Sequence, residues 1–394
     1  MGADMRLTQA QVRVKQIAKV SEAILRREIS RYPPFIDAFE QRYADFTQRR
    51  YGLSFCNGTS ALEAALFAAN VQPGDEVIVP SCTFHASIDP ILNAGATPVF
   101  ADVDANSFTL CPVDLAAKIT THTKAVIVVH LWGIPADMGA IRQIIGEQPI
   151  ALIEDVSHAH GARWGARVCG AWGDLGVFSL QGSKPVAAGE GGMVVTDRRD
   201  YYLRMSAWGH FNRHGEYLAE VGMEAFQYTG VGYKRRMAPL GALLATVDLD
   251  ALEAINQIKR DNVAKLDAHL GNVTGIAIAT PTPPAIRGGF YQGYPIRIIR
   301  EQGSATKAID ALKAAGIRAA PYPFPLHHHL PIYLSREHRS SLITQKIPAS
   351  QIPPAVTLPV TDSLKEQLIL VAPEYINRLN NRLLNQLTAV LAGV

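Results

Sequence analysis

The 394-residue chain is 48% hydrophobic and 19% charged, with 31 Gly and 24 Pro scattered along it, a balance that excludes a disordered or collagenous protein and suits two or three packed units. Its 38 basic and 35 acidic residues leave a net charge of only +3 with no basic block, so nothing calls for nucleic acid as a partner. No stretch reaches the roughly 18 apolar residues that span a bilayer, the first residues lack the apolar core of a signal peptide, and four cysteines without a CxxC pair fit a reducing compartment; a soluble cytoplasmic protein is expected.

In chain order, Gln9 to Arg31 reads as one or two amphipathic helices. Between residues 50 and 200 short apolar runs alternate with helical patterns, the rhythm of βα units that build a mostly parallel sheet. Strands are predicted at Asp75 to Val79, Thr97 to Ala101, Ala125 to His130, Ile150 to Glu154, Val177 to Leu180 and Met193 to Thr196. Helices are predicted between several of them, at Ala61 to Ala69, His85 to Ala94 and Pro135 to Gly146. Leu249 to Leu270 has apolar residues at helical spacing and reads as a long connector. Beyond it the texture changes: PTPP at Pro281 to Pro284, a strand at Tyr294 to Ile299, a helix over Thr306 to Ala315 and a last helix from Pro373 to Leu391. The expectation is a large α/β unit over residues 1–250, N-terminal helices included, and a smaller C-terminal α+β unit over 251–394.

Three motifs carry chemistry. Cys56-Asn-Gly-Thr-Ser60 opens the helical run ALEAALFAA, and the free N–H groups of such a helix start bind phosphate, with two hydroxyls as further donors; the plainer role is that Thr59 or Ser60 is only an N-cap. Ile150 to Asp155 is an apolar strand ending in two carboxylates, and in a parallel sheet the ligand crevice lies beyond the carboxyl ends of the strands. Gly176 to Lys184, followed by Gly189-Glu-Gly-Gly192, delivers a lysine into a loop rich in hydroxyls and glycines. A desolvated amine there has a lowered pKa and can form a Schiff base. A phosphate cradle, an acid and a lysine, in that order in one α/β unit, are what pyridoxal phosphate needs, and Phe84 supplies a flat neighbour for its ring.

With NGTSALEAAL, PGDEVIVPSCTFHAS, GATPVFADVD, TKAVIVVHLWGIPADM, IEDVSHAHGA, FSLQGSK and GEGGMVVT in order, the chain resembles the DegT/DnrJ/EryC1/StrS sugar aminotransferases, of aspartate aminotransferase fold type I. The match runs from about residue 50 to 245 and continues more weakly through TLPVTDSL. The resemblance implies that Lys184 is the Schiff-base lysine and Asp155 the partner of the pyridine nitrogen. Gly58, Thr59 and Ser179 bind the phosphate and Phe84 stacks on the ring. It also implies a homodimer with shared sites.

Two positions depart from the family pattern. His158 stands where the family most often has Gln, and imidazole can still donate to the ring face or phenolic oxygen. Lys234, in Gly232-Tyr-Lys-Arg-Arg-Met237, stands where the family has the Asn that reaches the neighbouring subunit's phosphate, and Lys can make that contact as a point charge. Arg235 beside it replaces an aromatic and alters the local substrate wall. For His327 to His329 no metal is expected, because carboxylate or Cys partners at ligand spacing are absent. His210 and His214 lack the Glu of a HExxH motif.

The function expected is pyridoxal-phosphate-dependent transfer of an amino group from glutamate or glutamine to a keto-sugar or keto-cyclitol. A dehydrating or aromatising relative is the alternative, and Lys184 counts against the dehydrating branch. A cofactor-binding regulator is disfavoured because no helix-turn-helix precedes residue 50. A nicotinamide enzyme is disfavoured because no GxGxxG follows a strand.

Overall fold

Apolar runs that carry Val, Ile and Leu on both faces can only be central strands, covered by helices on either side. In the computed structural model, which describes residues 5–300, 304–334 and 356–393, they are. The large sheet takes β1 (Tyr51–Phe55), β2 (Glu76–Pro80), β3 (Thr97–Ala101), β4 (Thr123–Val129) and β5 (Ala151–Asp155). After a short hairpin of β6 (Arg163–Trp164) and β7 (Arg167–Val168), it adds β8 (Leu175–Ser179) and β9 (Gly192–Thr196). Its order is β1-β9-β8-β5-β4-β2-β3. Pairing is parallel from β3 through β8, whereas β9 runs antiparallel to both β8 and β1.

All six strands predicted before residue 200 are present within two residues at either end. The sequence reading missed β1, whose YGLSF carries two small residues and no apolar run. The predicted helix from His85 is a 3₁₀ turn, His85–Ser87, followed by a short α-helix, Asp89–Asn93. The connector is longer than expected: one helix of 32 residues, Pro239–Leu270, with Pro at a tolerated first-turn position. The last helix is two, Pro373–Asn377 and Asn381–Gly393, parted at residues 378–380.

The C-terminal half forms its own antiparallel sheet of β10 (Ile276–Ile278), β12 (Tyr294–Ile298), β14 (Leu368–Val371) and β13 (Ala319–Pro321) in spatial order. Between β10 and β12 in the chain, β11 (Ala285–Ile286) leaves this sheet to pair with β6. A separate apolar cluster built on Val263, Leu266, Ile296, Leu312, Ile369 and Leu387 backs the sheet. Leu358, Leu364, Leu368 and Leu370 nevertheless join the core of the large sheet, so the two halves share packing. None of the described helices is long and apolar enough to cross a membrane.

Candidate active site

The carboxyl ends of β4, β5 and β8 and the start of the helix Gly58–Ala68 converge on one cavity of about 390 Å³. Of the residues expected in a site, Gly58, Thr59, Phe84, Asp155, His158, Ser179 and Lys184 all line it. Lys234 does not. It is exposed and belongs to a different depression with Arg31, Tyr32, Phe211, Tyr233 and Arg236.

Strand alternation sorts the two carboxylates of β5. Glu154 points away from the cavity and is saturated: Oε1 accepts from the amides of Trp172 (2.7 Å) and Gly173 (2.6 Å), Oε2 from Gly170 N (2.8 Å) and His130 Nε2 (3.0 Å). Burial alone would raise its carboxyl; the hydrogen bond and charge of His130, with the two glycine amides, outweigh that and hold it below the usual range. Glu154 is thus a clamp on the loop between β7 and β8.

Asp155 faces the cavity and is 4% exposed. Its Oδ2 accepts from Ser87 Oγ (2.8 Å), itself 2.9 Å from Thr83 Oγ1, and its Oδ1 accepts from Ser157 N (3.0 Å). Each oxygen has room for one more donor.

At the cradle end, the N-cap is neither Thr59 nor Ser60. Asn57 Oδ1 accepts from Ser60 N (2.7 Å), and Ser60 Oγ is engaged by Cys56 Sγ (3.3 Å) and Arg235 Nη1 (3.1 Å). Thr59 is left with its side chain on the cavity wall. Gly58 must be glycine: a Cβ there would lie 2.8 Å from Ser179 Cβ, so the helix start and the end of β8 touch backbone to side chain. Arg235, besides Ser60, pairs with Glu63 (3.2 Å) and lies over the rings of Trp208 and Tyr233, which places it on the helix behind the cradle.

Lys184 enters from the loop after β8. Burial pushes its amine down to about 7, against the opposing charge of Asp155. His158 is held well below the ordinary imidazole value by burial, with Lys184 and His160 adding to it, so it is neutral at pH 7. The sequence reading did not place Tyr291 on the cavity wall, where its ring lies 3.5 Å from Lys184 Nζ and 4.5 Å from the His158 ring. Its only signal in the sequence is the glycine-flanked GGFYQG before a strand.

The histidine run is also more connected than the sequence implied. His327 Nε2 meets Thr83 O (2.8 Å). His328 bridges Ser81 Oγ (2.7 Å) and Asp362 Oδ1 (2.9 Å), with His329 3.6 Å from the same carboxylate. The carboxylate partner that no nearby spacing offered is therefore supplied by Asp362. Both ring nitrogens of His328 are spent on these bonds, which tie the end of β2 to the helix Pro359–Gln367.

The family model for the DegT/DnrJ/EryC1/StrS aminotransferase family matches residues 10–371. The chain belongs to that family. GDP-perosamine synthase of Escherichia coli O157:H7 is 29% identical over 92% of this chain and 95% of its own length. L-glutamine:2-deoxy-scyllo-inosose aminotransferase of Streptomyces kanamyceticus is 33% identical over 84% and 78%. The UDP-N-acetyl-3-dehydro-alpha-D-glucosamine 3-aminotransferase of Acidithiobacillus ferrooxidans is 35% identical over 74% and 75%. Among solved structures, 3-amino-5-hydroxybenzoic acid synthase superposes with a TM-score of 0.81 at 25% identity, covering 96% of this chain and 95% of that one. DesI in the presence of its TDP-sugar product superposes with 0.77 at 27%, covering 96% and 90%. The chain is an aminotransferase of this family, and the family implies pyridoxal 5′-phosphate.

Three features of this chain fit that group. A close-packed helix start at Gly58 and Thr59 suits a phosphate. Phe84, 50% exposed although apolar and on the cavity wall, offers a face for a flat ring. His158 Nδ1 is buried in the wall without a hydrogen-bond partner.

Proposed function

We propose that the chain transfers an amino group from glutamate or glutamine to the carbonyl carbon of a keto-sugar or keto-cyclitol, with pyridoxal phosphate held in the cavity of Asp155 and Lys184. The observation that carries this reading is the desolvated amine of Lys184, sharing a cavity with a buried carboxylate and the N-terminus of a helix. The substrate class is taken from the relatives: two are named for nucleotide-sugar products or substrates and one for an inosose with glutamine as donor.

The cofactor, when bound, supplies an electron sink for the bond cleaved at the donor α-carbon. The chain's own residues do the rest. Gly58, Thr59 and Ser179 would hold the phosphate, and Phe84 and His158 would lie against the ring or its substituents. Asp155 would hold a proton on the ring nitrogen. Lys184 would hold the cofactor's aldehyde and, as a free amine, would move the proton at the donor α-carbon. An amine near pKa 7 is matched to that task because both of its protonation states are populated at neutral pH. In this reading the cofactor belongs to the large unit over residues 1–250, and residues 251–394 form a smaller C-terminal unit.

Borohydride reduction of the reconstituted protein should fix the cofactor to the peptide containing SLQGSK, read by mass spectrometry. Label on another lysine, or no retained cofactor, would remove Lys184 from this role. A panel of keto-sugars and keto-cyclitols assayed with each donor then separates the substrate classes.

The working unit in this reading is a cytoplasmic homodimer, and the exposed Lys234 reaches the partner's phosphate. Support comes from its separation from its own cavity and from the cationic depression around it, with Arg31 and Arg236. Lys234→Ala should weaken cofactor affinity by about 1.5 to 3 kcal/mol if the contact is a charge-assisted hydrogen bond. Mixed Lys184→Ala and Lys234→Ala subunits should regain part of the activity, since one of the two sites then carries neither defect. No recovery despite confirmed subunit exchange would place Lys234 in its own subunit's site or outside the site altogether.

A further inference from the structure

The chain between β11 and β12 runs through an unusual stretch of backbone. Gly289, Phe290, Gln292 and Gly293 all have positive φ, at +74°, +54°, +69° and +129°. Two of these are not glycine, and strained residues of that kind persist only where the surroundings over-determine them, most often at functional sites. Here the surroundings are explicit. Two side chains one helical turn apart on Pro239–Leu270 grip a single residue: Gly289 N donates to Asn256 Oδ1 (2.9 Å) and Lys259 Nζ donates to Gly289 O (3.0 Å). On the other side Gly288 N donates to Gly133 O (3.0 Å). A Cβ on Gly289 would lie 2.8 Å from His160 N and 2.9 Å from His158 O, so the stretch lies directly on the segment that follows Asp155.

This grip delivers Tyr291. Its ring face covers Lys184 Nζ at 3.5 Å from the centroid, its hydroxyl lies 3.1 Å from Ser183 Oγ, and Gln292 beside it accepts from Trp132 Nε1 at 3.1 Å. Ser183, Lys184, Tyr291 and Gln292 line both the 390 Å³ cavity and a larger one of about 880 Å³ that extends to Asp248 and Lys259. Tyr291 is thus part of the wall where the two cavities meet, at the reacting amine.

We propose that Tyr291 is a catalytic residue whose ring face, rather than its hydroxyl, stabilises the ammonium form of Lys184 and so sets the pH at which the lysine becomes a nucleophile. This rests on the assignment of Lys184 as the lysine that takes the cofactor. The ring quadrupole attracts a cation more strongly where water is excluded. The groups around the amine define what the ring adds to. Asp155, at the end of β5, also favours the ammonium form. His158 and His160, after β5, are kept neutral by burial. Glu190 lines the same cavity from the loop before β9, and Lys259 faces the larger cavity from its helix. Burial drives the amine down; the ring and Asp155 oppose it.

The test uses the cofactor-free full chain. Acylation of Lys184 by acetic anhydride is followed against pH at the SLQGSK peptide by mass spectrometry. Tyr291→Leu keeps an apolar cover but removes the quadrupole, and the reactivity midpoint should move down by about one pH unit. Tyr291→Phe keeps the ring and loses the Ser183 contact, and its midpoint should stay within about 0.3 unit of the unmodified chain, since the cation–π attraction needs only the ring. Tyr291→Met serves as the second apolar replacement where the leucine variant does not fold. An unmoved or raised midpoint in the apolar variants, or an equal shift in Tyr291→Phe, overturns the proposal. Borohydride trapping on the unmodified chain reports separately on Lys184, so loss of that assignment is not confused with loss of this one.

Discussion

An Asp155→Asn variant should fold and still bind pyridoxal phosphate, yet turn over at least about a hundredfold more slowly. Asparagine is isosteric here. Its oxygen can keep the Ser157 amide, and its NH₂ can donate to Ser87 once that hydroxyl and Thr83 rotate. The fold therefore loses little. The negative charge is lost, and with it the proposed means of holding a proton on the cofactor's ring nitrogen; for a carboxylate that is 4% exposed, one such charge interaction is worth on the order of 3 kcal/mol or more. A second readout accompanies the rate. Asp155 supports the ammonium form of Lys184, so without it the amine, already lowered to about 7, should titrate lower still. Turnover within roughly threefold of the unmodified enzyme would give the role to another acid. Glu154 could not be that acid, because it faces away and all of its hydrogen bonds are committed.

Most of this site is legible in the sequence because its elements are local. A strand ending in Glu-Asp puts adjacent carboxylates on opposite faces, and a glycine turn followed by an alanine-rich helix marks a phosphate-sized helix start. A lysine five residues past the end of β8, in a loop with hydroxyls and glycines, completes the set. What stayed hidden depends on long-range packing. β1 is a strand because β9 lies alongside it, with Ser54 facing Met193 in register, and YGLSF has no apolar run of its own. Tyr291 reaches Lys184 across more than a hundred residues of sequence, and nothing in GGFYQG foretells the grip of Asn256 and Lys259. Asp362 stands 34 residues from His328, so a search at ligand spacing passes over it. The sequence reading offered Thr59 or Ser60 as the cap; the cap is Asn57, and Ser60 lies inside the first turn with its hydroxyl engaged by Cys56 and Arg235.

The largest effect on stability is expected at Arg213, which the sequence reading passed over. Arg213 Nη1 donates to Glu40 Oε1 (2.9 Å) and Nη2 to Glu40 Oε2 and Asp37 Oδ1 (2.6 Å). The side chains of Arg213 and Glu40 are 7% and 4% exposed, whereas Asp37 is 67% exposed and serves as a rim partner. Glu40 also accepts from Ser54 N (2.8 Å) and Ser54 Oγ (2.7 Å), so it anchors β1, the strand that leads into Asn57 and Gly58. A buried pair of this kind is not strong evidence of stabilisation in itself, because desolvation offsets much of the attraction. Removing one partner is another matter, since the survivor keeps its charge without compensation. Arg213→Met should cost about 3 to 5 kcal/mol in chemical denaturation. Adding Glu40→Gln should return part of that loss: the amide oxygen can still accept from Ser54, and no unpaired charge is left in the core. Because β1 leads into the proposed phosphate cradle at Gly58, the single variant should also hold the cofactor less tightly than the double one. A single variant as stable as the unmodified chain, or a double variant less stable than the single, would show that Glu40 is anchored by Ser54 alone and that Arg213 is a surface cation folded inward.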